Sequence, residues 1–139
     1  MRLLLVDDDA DFTSLITSNA PSWLRITECP SSEDVVRLVK QLGTGRFDLA
    51  LIDLNMRAYL ERLSELEGLA LVRWLRRQGE TKPVIVISGH LQKLPHAGAE
   101  SAVLGFLRKP IDLDSVFRFI GAYADLFGLR EHSSKRERS

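Results

Sequence analysis

The chain is poor in cysteine. A single residue, Cys29, stands among 139, which excludes an intrachain disulfide and suits a reducing cytoplasm. It lies in the apolar-leaning stretch Ile26–Cys29, so a quiet, semi-buried thiol is expected. Net charge is also missing: 19 Lys and Arg balance 19 Asp and Glu, so no direct nucleic-acid binding by this segment and no membrane partner is expected. No uninterrupted apolar run approaches the roughly 20 residues that a membrane helix needs. The first apolar run starts at Leu3, so no signal peptide is expected ahead of the fold. Histidine and cysteine are too scarce and too scattered for a zinc site, and no glycine-rich phosphate loop is present. Only Arg130 to Ser139 leans basic, with four Arg or Lys against two Glu, and no apolar anchor follows Leu129. Residues 129–139 are therefore expected to form a flexible tail rather than a nucleic-acid arm.

What remains is an ordinary soluble composition, 45% hydrophobic and 27% charged, long enough for one domain with its own core. Apolar runs alternate with helical patterns. Leu3–Val6 is a short solid run of the kind that makes a buried parallel strand. Asp11 to Asn19 reads as a helix, with Phe12, Leu15 and Ile16 at helical spacing and Asp9 or Asp11 available as its cap. Trp23 to Cys29 reads as a second strand. Ser31 with Asp34 marks a helix start, Val35, Leu38, Val39 and Leu42 share a face, and Gly43 stops it. Phe47 to Leu54 is the third strand, Leu69, Val72 and Leu75 mark a helix ending near Gly79, and Pro83 to Ser88 is a β-branched strand. Val103 to Arg108 closes the set of strands. A last helix follows from an Asp112 cap, with Val116, Phe119, Ile120, Tyr123 and Phe127 as its expected inner stripe. The expectation is an α/β domain: a doubly wound, five-stranded parallel sheet of order 2-1-3-4-5, in a flavodoxin-like three-layer sandwich.

In such a sheet, functional groups gather at the carboxyl ends of the strands. Asp7 and Asp8 follow the first strand, Asp53 ends the third, Ser88 the fourth, and Lys109 the fifth. Like charges packed together are costly, and one helix cap needs one carboxylate, not the row Asp7-Asp8-Asp9. The strand order sets the first and third strands side by side, which brings Asp8 to Asp53 with Asp7 behind. Oxygen ligands without histidine or thiolate suit a hard cation, Mg²⁺ with Mn²⁺ as a possible substitute. Such an ion would offset the repulsion and link Asp53 to a phosphoryl group, while Lys109 and the Ser88 hydroxyl bind its other oxygens. An aspartate carboxylate is a competent nucleophile toward phosphorus.

The motifs Leu-Leu-Val-Asp-Asp-Asp (4–9), Phe-Asp-Leu-Ala-Leu-Ile-Asp-Leu-Asn-Met (47–56), Val-Ile-Val-Ile-Ser-Gly (84–89) and Gly-Phe-Leu-Arg-Lys-Pro (105–110) run in one order along nearly the whole chain. Together they resemble the response-regulator receiver domain of two-component signal transduction, the CheY-like superfamily. That resemblance implies a receiver over 1–128, phosphorylated on Asp53 by a histidine kinase or phosphotransfer protein within a phosphorelay. It implies Mg²⁺ held by Asp8, Asp53 and the Asn55 backbone carbonyl, with Asp7 acting through a bound water. Lys109 would pair with the phosphoryl group ahead of a cis bond to Pro110. Ser88 would be the switch hydroxyl, Phe106 the switch aromatic, and His90 would stand where the family tunes hydrolysis of the aspartyl-phosphate. The domain would catalyse only its own phosphorylation and dephosphorylation, and would signal through a homodimer or a heterologous output protein.

Two departures stand out. Arg57 replaces the family's usual proline, and the stretch around 57–68 is longer than the usual loop, with Tyr59, Leu60, Leu63 and Leu66 at helical spacing. Pro95 and Gly98 interrupt the place of the helix between the fourth and fifth strands. A non-phosphorylated pseudo-receiver acting as a protein-binding module is the alternative. The complete set of Asp8, Asp53, Ser88 and Lys109 argues against it. A small-molecule phosphatase is disfavoured because Asn55 stands where an Asp-x-Asp pair needs its second acid.

Overall fold

A computed structural model describes residues 1–53, 67–88, 103–108 and 111–130, with Glu67 and Ser88 described by their backbone alone. The expectations for Asn55, residues 57–66, His90, Pro95, Gly98, Lys109 and Pro110 lie outside the described residues, as do those for residues 131–139. The elements in chain order are β1 (Arg2–Val6), α1 (Ala10–Ser18), β2 (Arg25–Cys29), α2 (Ser32–Leu42), β3 (Leu49–Asp53), α3 (Glu67–Arg77), β4 (Val84–Ser88), β5 (Gly105–Arg108) and α4 (Leu113–Leu126).

All five strands run parallel in the order β2-β1-β3-β4-β5, the order expected for the doubly wound fold. The central strand β3 is buried along its full length, because helices cover both faces of the sheet. Side chains alternate between those faces. Leu4, Val6, Ala50, Ile52, Val84 and Val86 meet Val35 of α2 and Leu69, Val72 and Leu75 of α3. Leu3, Leu5, Leu49, Leu51, Ile85 and Ile87 meet Ile16 of α1 and Val116, Ile120 and Ala124 of α4.

Local signals in the sequence set the helix ends. Asp9 caps α1, its carboxylate accepting from the amides of Asp11 and Phe12 at 3.1 Å each. Ser31 caps α2 by accepting from Asp34 N at 3.2 Å, and Gly43 closes that helix with a φ of 83° that a side chain would strain. Asp112 caps α4 through Ser115 N. Cys29 is more deeply buried than the semi-buried thiol expected; burial, followed by the nearby Asp34 charge, pushes its thiol up to about 11.

The apolar stripes need correction at four residues, the first being Leu15 of α1, which is 49% exposed. Leu42 is 49% exposed at the last position of α2, and Phe119 and Phe127 are 40% and 59% exposed on and beyond α4. The buried stripe of α4 is instead Val116, Ile120, Gly121 and Ala124. Val116, Ile120 and Ala124 pack into the core, Phe119 falls outside that stripe, and Phe127 lies past the last helical residue. Phe119, Leu126 and Phe127 thus line an apolar groove of about 510 Å³ with Leu104, Gly105 and Phe106 of the β5 edge. Tyr123 stays half-buried and donates its hydroxyl to the carbonyl of Asp48 at 3.2 Å.

Candidate functional site

The parallel register places the site. Val6 pairs with Ile52, so the chain leaves β1 at Asp7 beside the end of β3 at Asp53. Asp53 in turn pairs with Ile87, which sets the backbone of Ser88 one residue farther along the neighbouring strand. Ser88 pairs with Arg108, and Lys109 follows next in the chain. Three adjacent strands therefore deliver Asp7, Asp53 and the backbone of Ser88 to one edge of the sheet, while the side chain of Ser88 and the whole of Lys109 lie outside the described residues.

Asp7, Asp8 and Asp53 converge, with one carboxylate oxygen of each lying within 4.8 Å of the others. Among the described residues they are the one group of three ligating side chains close enough to hold a metal ion. Asp7 is 1% exposed and Asp53 4%, so two of the three carboxylates are withdrawn from water; Asp8 is the outermost. Burial of that kind is costly for acids unless cations and donors meet them. The chain supplies part of the answer itself: the Asp9 amide donates to Asp7 Oδ1 at 2.9 Å, while the Asp9 side chain caps α1. The amino end of α1, with its partial positive charge, consequently faces the aspartate row. Sequence reasoning gave Asp9 only the turn into the helix. Its amide also orients Asp7, a contact that two consecutive acids after a strand do signal in hindsight.

The donor set fits a small hard cation. Oxygens opposite each other on one Mg²⁺ lie about 4.2 Å apart, since each sits about 2.1 Å from the ion. A spread of at most 4.8 Å needs only a slight inward turn of the carboxylates to meet that demand. Carboxylates with no imidazole or thiolate among them are poor ligands for softer metals.

Phe106 occupies the middle of β5, paired with Val86, and packs half-buried against the cluster under α2 and α3. It also lines the apolar groove, so one aromatic ring belongs both to the core and to an outer surface. Cys29 ends β2 at the same edge of the sheet, but its raised thiol keeps it protonated and inert at neutral pH.

Comparison with known proteins agrees with this architecture. The chain belongs to the response regulator receiver domain family, whose model matches residues 3–120. Domains of this family are signalling modules rather than ordinary enzymes. The chain is 29% identical over 125 residues to the transcriptional regulatory protein GlrR of Escherichia coli K12, a match that covers 86% of the chain and 25% of that protein. It thus spans about a quarter of the length of that relative. The receiver domain of the Francisella response regulator 1452 superposes with a TM-score of 0.69 at 21% identity, covering 95% of this chain and 98% of that one. The response regulator TrrA of Thermotoga maritima, solved in complex with Mg(2+)-BeF, gives a TM-score of 0.65 at 17% identity, over 87% and 96% of the two chains. At these identities the structural likenesses establish the fold.

Proposed function

We propose that this domain accepts a phosphoryl group on Asp53 from a histidine kinase or phosphotransfer protein, as one step of a phosphorelay. The observation that carries the reading is the convergence of Asp7, Asp8 and Asp53 within 4.8 Å at the carboxyl edge of the sheet. A carboxylate oxygen of Asp53 attacks phosphorus in line, the bond from phosphorus to the donor nitrogen breaks, and an aspartyl-phosphate results. Asp8, Asp53 and the Asn55 carbonyl would hold Mg²⁺, or Mn²⁺ in its place, with Asp7 reaching it through water. When bound, the ion supplies positive charge against the carboxylates and the equatorial phosphoryl oxygens. The Asp9 amide holds Asp7 in place for that role. Lys109 would neutralise a phosphoryl oxygen and Ser88 would donate its hydroxyl to another.

The output is a shift between two states. As Ser88 moves toward the phosphoryl group, Phe106 turns into the space it leaves. Phe106 lacks a hydroxyl, so its inward state carries no polar desolvation cost. Because Phe106 lines the apolar groove with Phe119 and Phe127, its rotation would reshape a surface used toward a second copy or a heterologous output protein. The domain would catalyse only its own phosphorylation and dephosphorylation. A cytoplasmic setting is consistent with the buried, unpaired thiol of Cys29, and no helix among the described residues is long and apolar enough to cross a membrane.

The test is incubation with Mg²⁺ and a small phosphodonor such as acetyl phosphate, followed by intact mass and oligomeric state, with Asp53→Asn as control. Gain of one phosphoryl group by the wild type alone supports the reading. No gain with either the small donor or a phosphorylated histidine protein would sink it and leave a protein-binding module.

A further inference from the structure

Gly121 is an anomaly inside α4. Alanine is the better helix former at an interior position, and Gly121 has no positive φ to justify it. The reason lies across the surface: a Cβ on Gly121 would collide with Nη2 of Arg130 and come within 3.7 Å of that side chain's Cζ. Arg130 has folded back over the helix. Its guanidinium lies 4.4 Å from the centre of the Trp23 ring, a cation–π distance. Its Nε is buried 3.1 Å from Asp125 Oδ1, a close ion pair off the hydrogen-bonding direction.

The platform is held before Arg130 arrives. The carbonyl of Trp23 accepts from the amino group of Met1 at 2.8 Å, and Leu24 N donates to Pro21 O at 3.0 Å, so the loop ahead of β2 is fixed. Gly128, with φ 68°, makes the turn that brings Leu129 against the core and Arg130 onto Trp23. Arg130 thus meets the loop ahead of β2, and neither it nor Trp23 lines the groove at β5.

We propose that Trp23 and Gly121 form a receptor for the Arg130 guanidinium, a latch that sets the path of the chain after the turn that ends α4. A stack at a partly exposed site favours the closed latch by about two- to fivefold. The flanking Asp125 pair adds about twofold. A latch of that strength is closed most of the time, yet opens without unfolding the domain. A partner that takes up Arg130 or the residues after it can therefore release it. This reading is independent of phosphorylation at Asp53.

Gly121→Ala is the sharpest probe, because the added methyl displaces only the flexible end of Arg130 while the helix itself is favoured. NMR of the full chain reads the result directly. In the wild type, the Arg130 side-chain protons shift upfield under the Trp23 ring, and the amides of 128–130 show order near that of the core, about 0.85. In Gly121→Ala and Arg130→Ala the order at Leu129 and residue 130 falls below about 0.6, and the upfield shift disappears in Gly121→Ala, with no loss of thermal midpoint. If Gly121→Ala leaves the Arg130 shifts unchanged, Gly121 is not part of a receptor. If Arg130→Ala leaves residues 129 and 130 as rigid as before, the side chain does not set the path, and the proposal fails. Arg130→Ala removes a surface group, so that arm remains decisive even if the methyl at 121 perturbs folding.

Discussion

Replacing Asp53 by asparagine should make the protein more stable when divalent cations are absent. Asp7 and Asp53 are 1% and 4% exposed, with carboxylate oxygens within 4.8 Å of each other. At an effective dielectric of 20 that separation is worth about 3.5 kcal/mol of repulsion for one pair. In the unfolded chain the two are 46 residues apart in sequence (53 less 7), so the repulsion belongs to the folded state alone. The Asp9 amide and the end of α1 already offset part of it, and asparagine loses some contacts of the charged group. A net gain of about 1–3 kcal/mol remains, or a thermal midpoint higher by about 3–10 °C for a domain of this size. Magnesium should reverse the ranking. Ligand at a hundred times its dissociation constant stabilises by about 2.7 kcal/mol, and only the wild type retains the full carboxylate set. Urea and thermal unfolding of both proteins, in chelator and in excess Mg²⁺, give the four values required. If Asp53→Asn is the less stable protein in chelator, the carboxylates are satisfied without a metal, and the electrostatic reasoning is wrong. Equal stabilisation of both proteins by Mg²⁺ would place the ion elsewhere.

Other consequences can be checked by simpler means. With its thiol raised to about 11 from an ordinary 9.0, Cys29 should carry about a hundredfold less thiolate than in the unfolded chain at pH 8; alkylation should then track unfolding, and prompt labelling of native protein would contradict its burial. A raised acid of this kind stabilises the fold fully below pH 9 and loses that contribution as pH climbs toward 11, a limb that Cys29→Ala should remove. Burial would raise the Asp48 carboxyl, but the side chain and amide of Arg2 outweigh it and hold the group below its ordinary 3.8. Its stabilisation is complete above that value and is lost as pH falls through the folded one, so Asp48→Asn should flatten the acid limb of a stability profile while leaving neutral-pH folding intact. Glu80 is 2% exposed and accepts from the amides of Gly45, Thr81 and Lys82 at 2.9, 3.1 and 3.3 Å. Glu80→Ala should cost about 2–4 kcal/mol in urea unfolding, Glu80→Gln less, and a loss under 0.5 kcal/mol would show that water replaces the carboxylate.

Much of the local structure was legible because single residues carry it. Asp9, Ser31 and Asp112 announce helix starts by side chains that can accept from backbone amides two or three residues on, and each is a cap in the structure. The apolar middle of β3 and the β-branched β4 could only be strands covered on both faces. Helix faces were harder. Large aromatic residues suggested that Phe119 and Phe127 faced inward, whereas Gly121 and Ala124 occupy the inner stripe. Hydrophobicity marks what a side chain would gain from burial, not which side of the helix its neighbours will cover. Glu80 gave no signal at all, since a buried acid is recognised only when the amides that surround it, one of them 35 residues away, are brought together.

The sequence by itself determined the succession of strands and helices and the position of Asp7, Asp8, Asp53, Ser88 and Lys109 at or just past strand ends. These follow from periodicity and from residue types with local effects. The expected strand order already brought Asp7 and Asp8 toward Asp53; only the tertiary structure decided how close they come, with Val6 opposite Ile52 and the carboxylates within 4.8 Å. It also decided which faces of α4 are covered, and why a glycine stands at 121 beneath an arginine nine residues later. Those contacts join residues distant in the chain, and their energies exist only once the sheet has closed the distance between them.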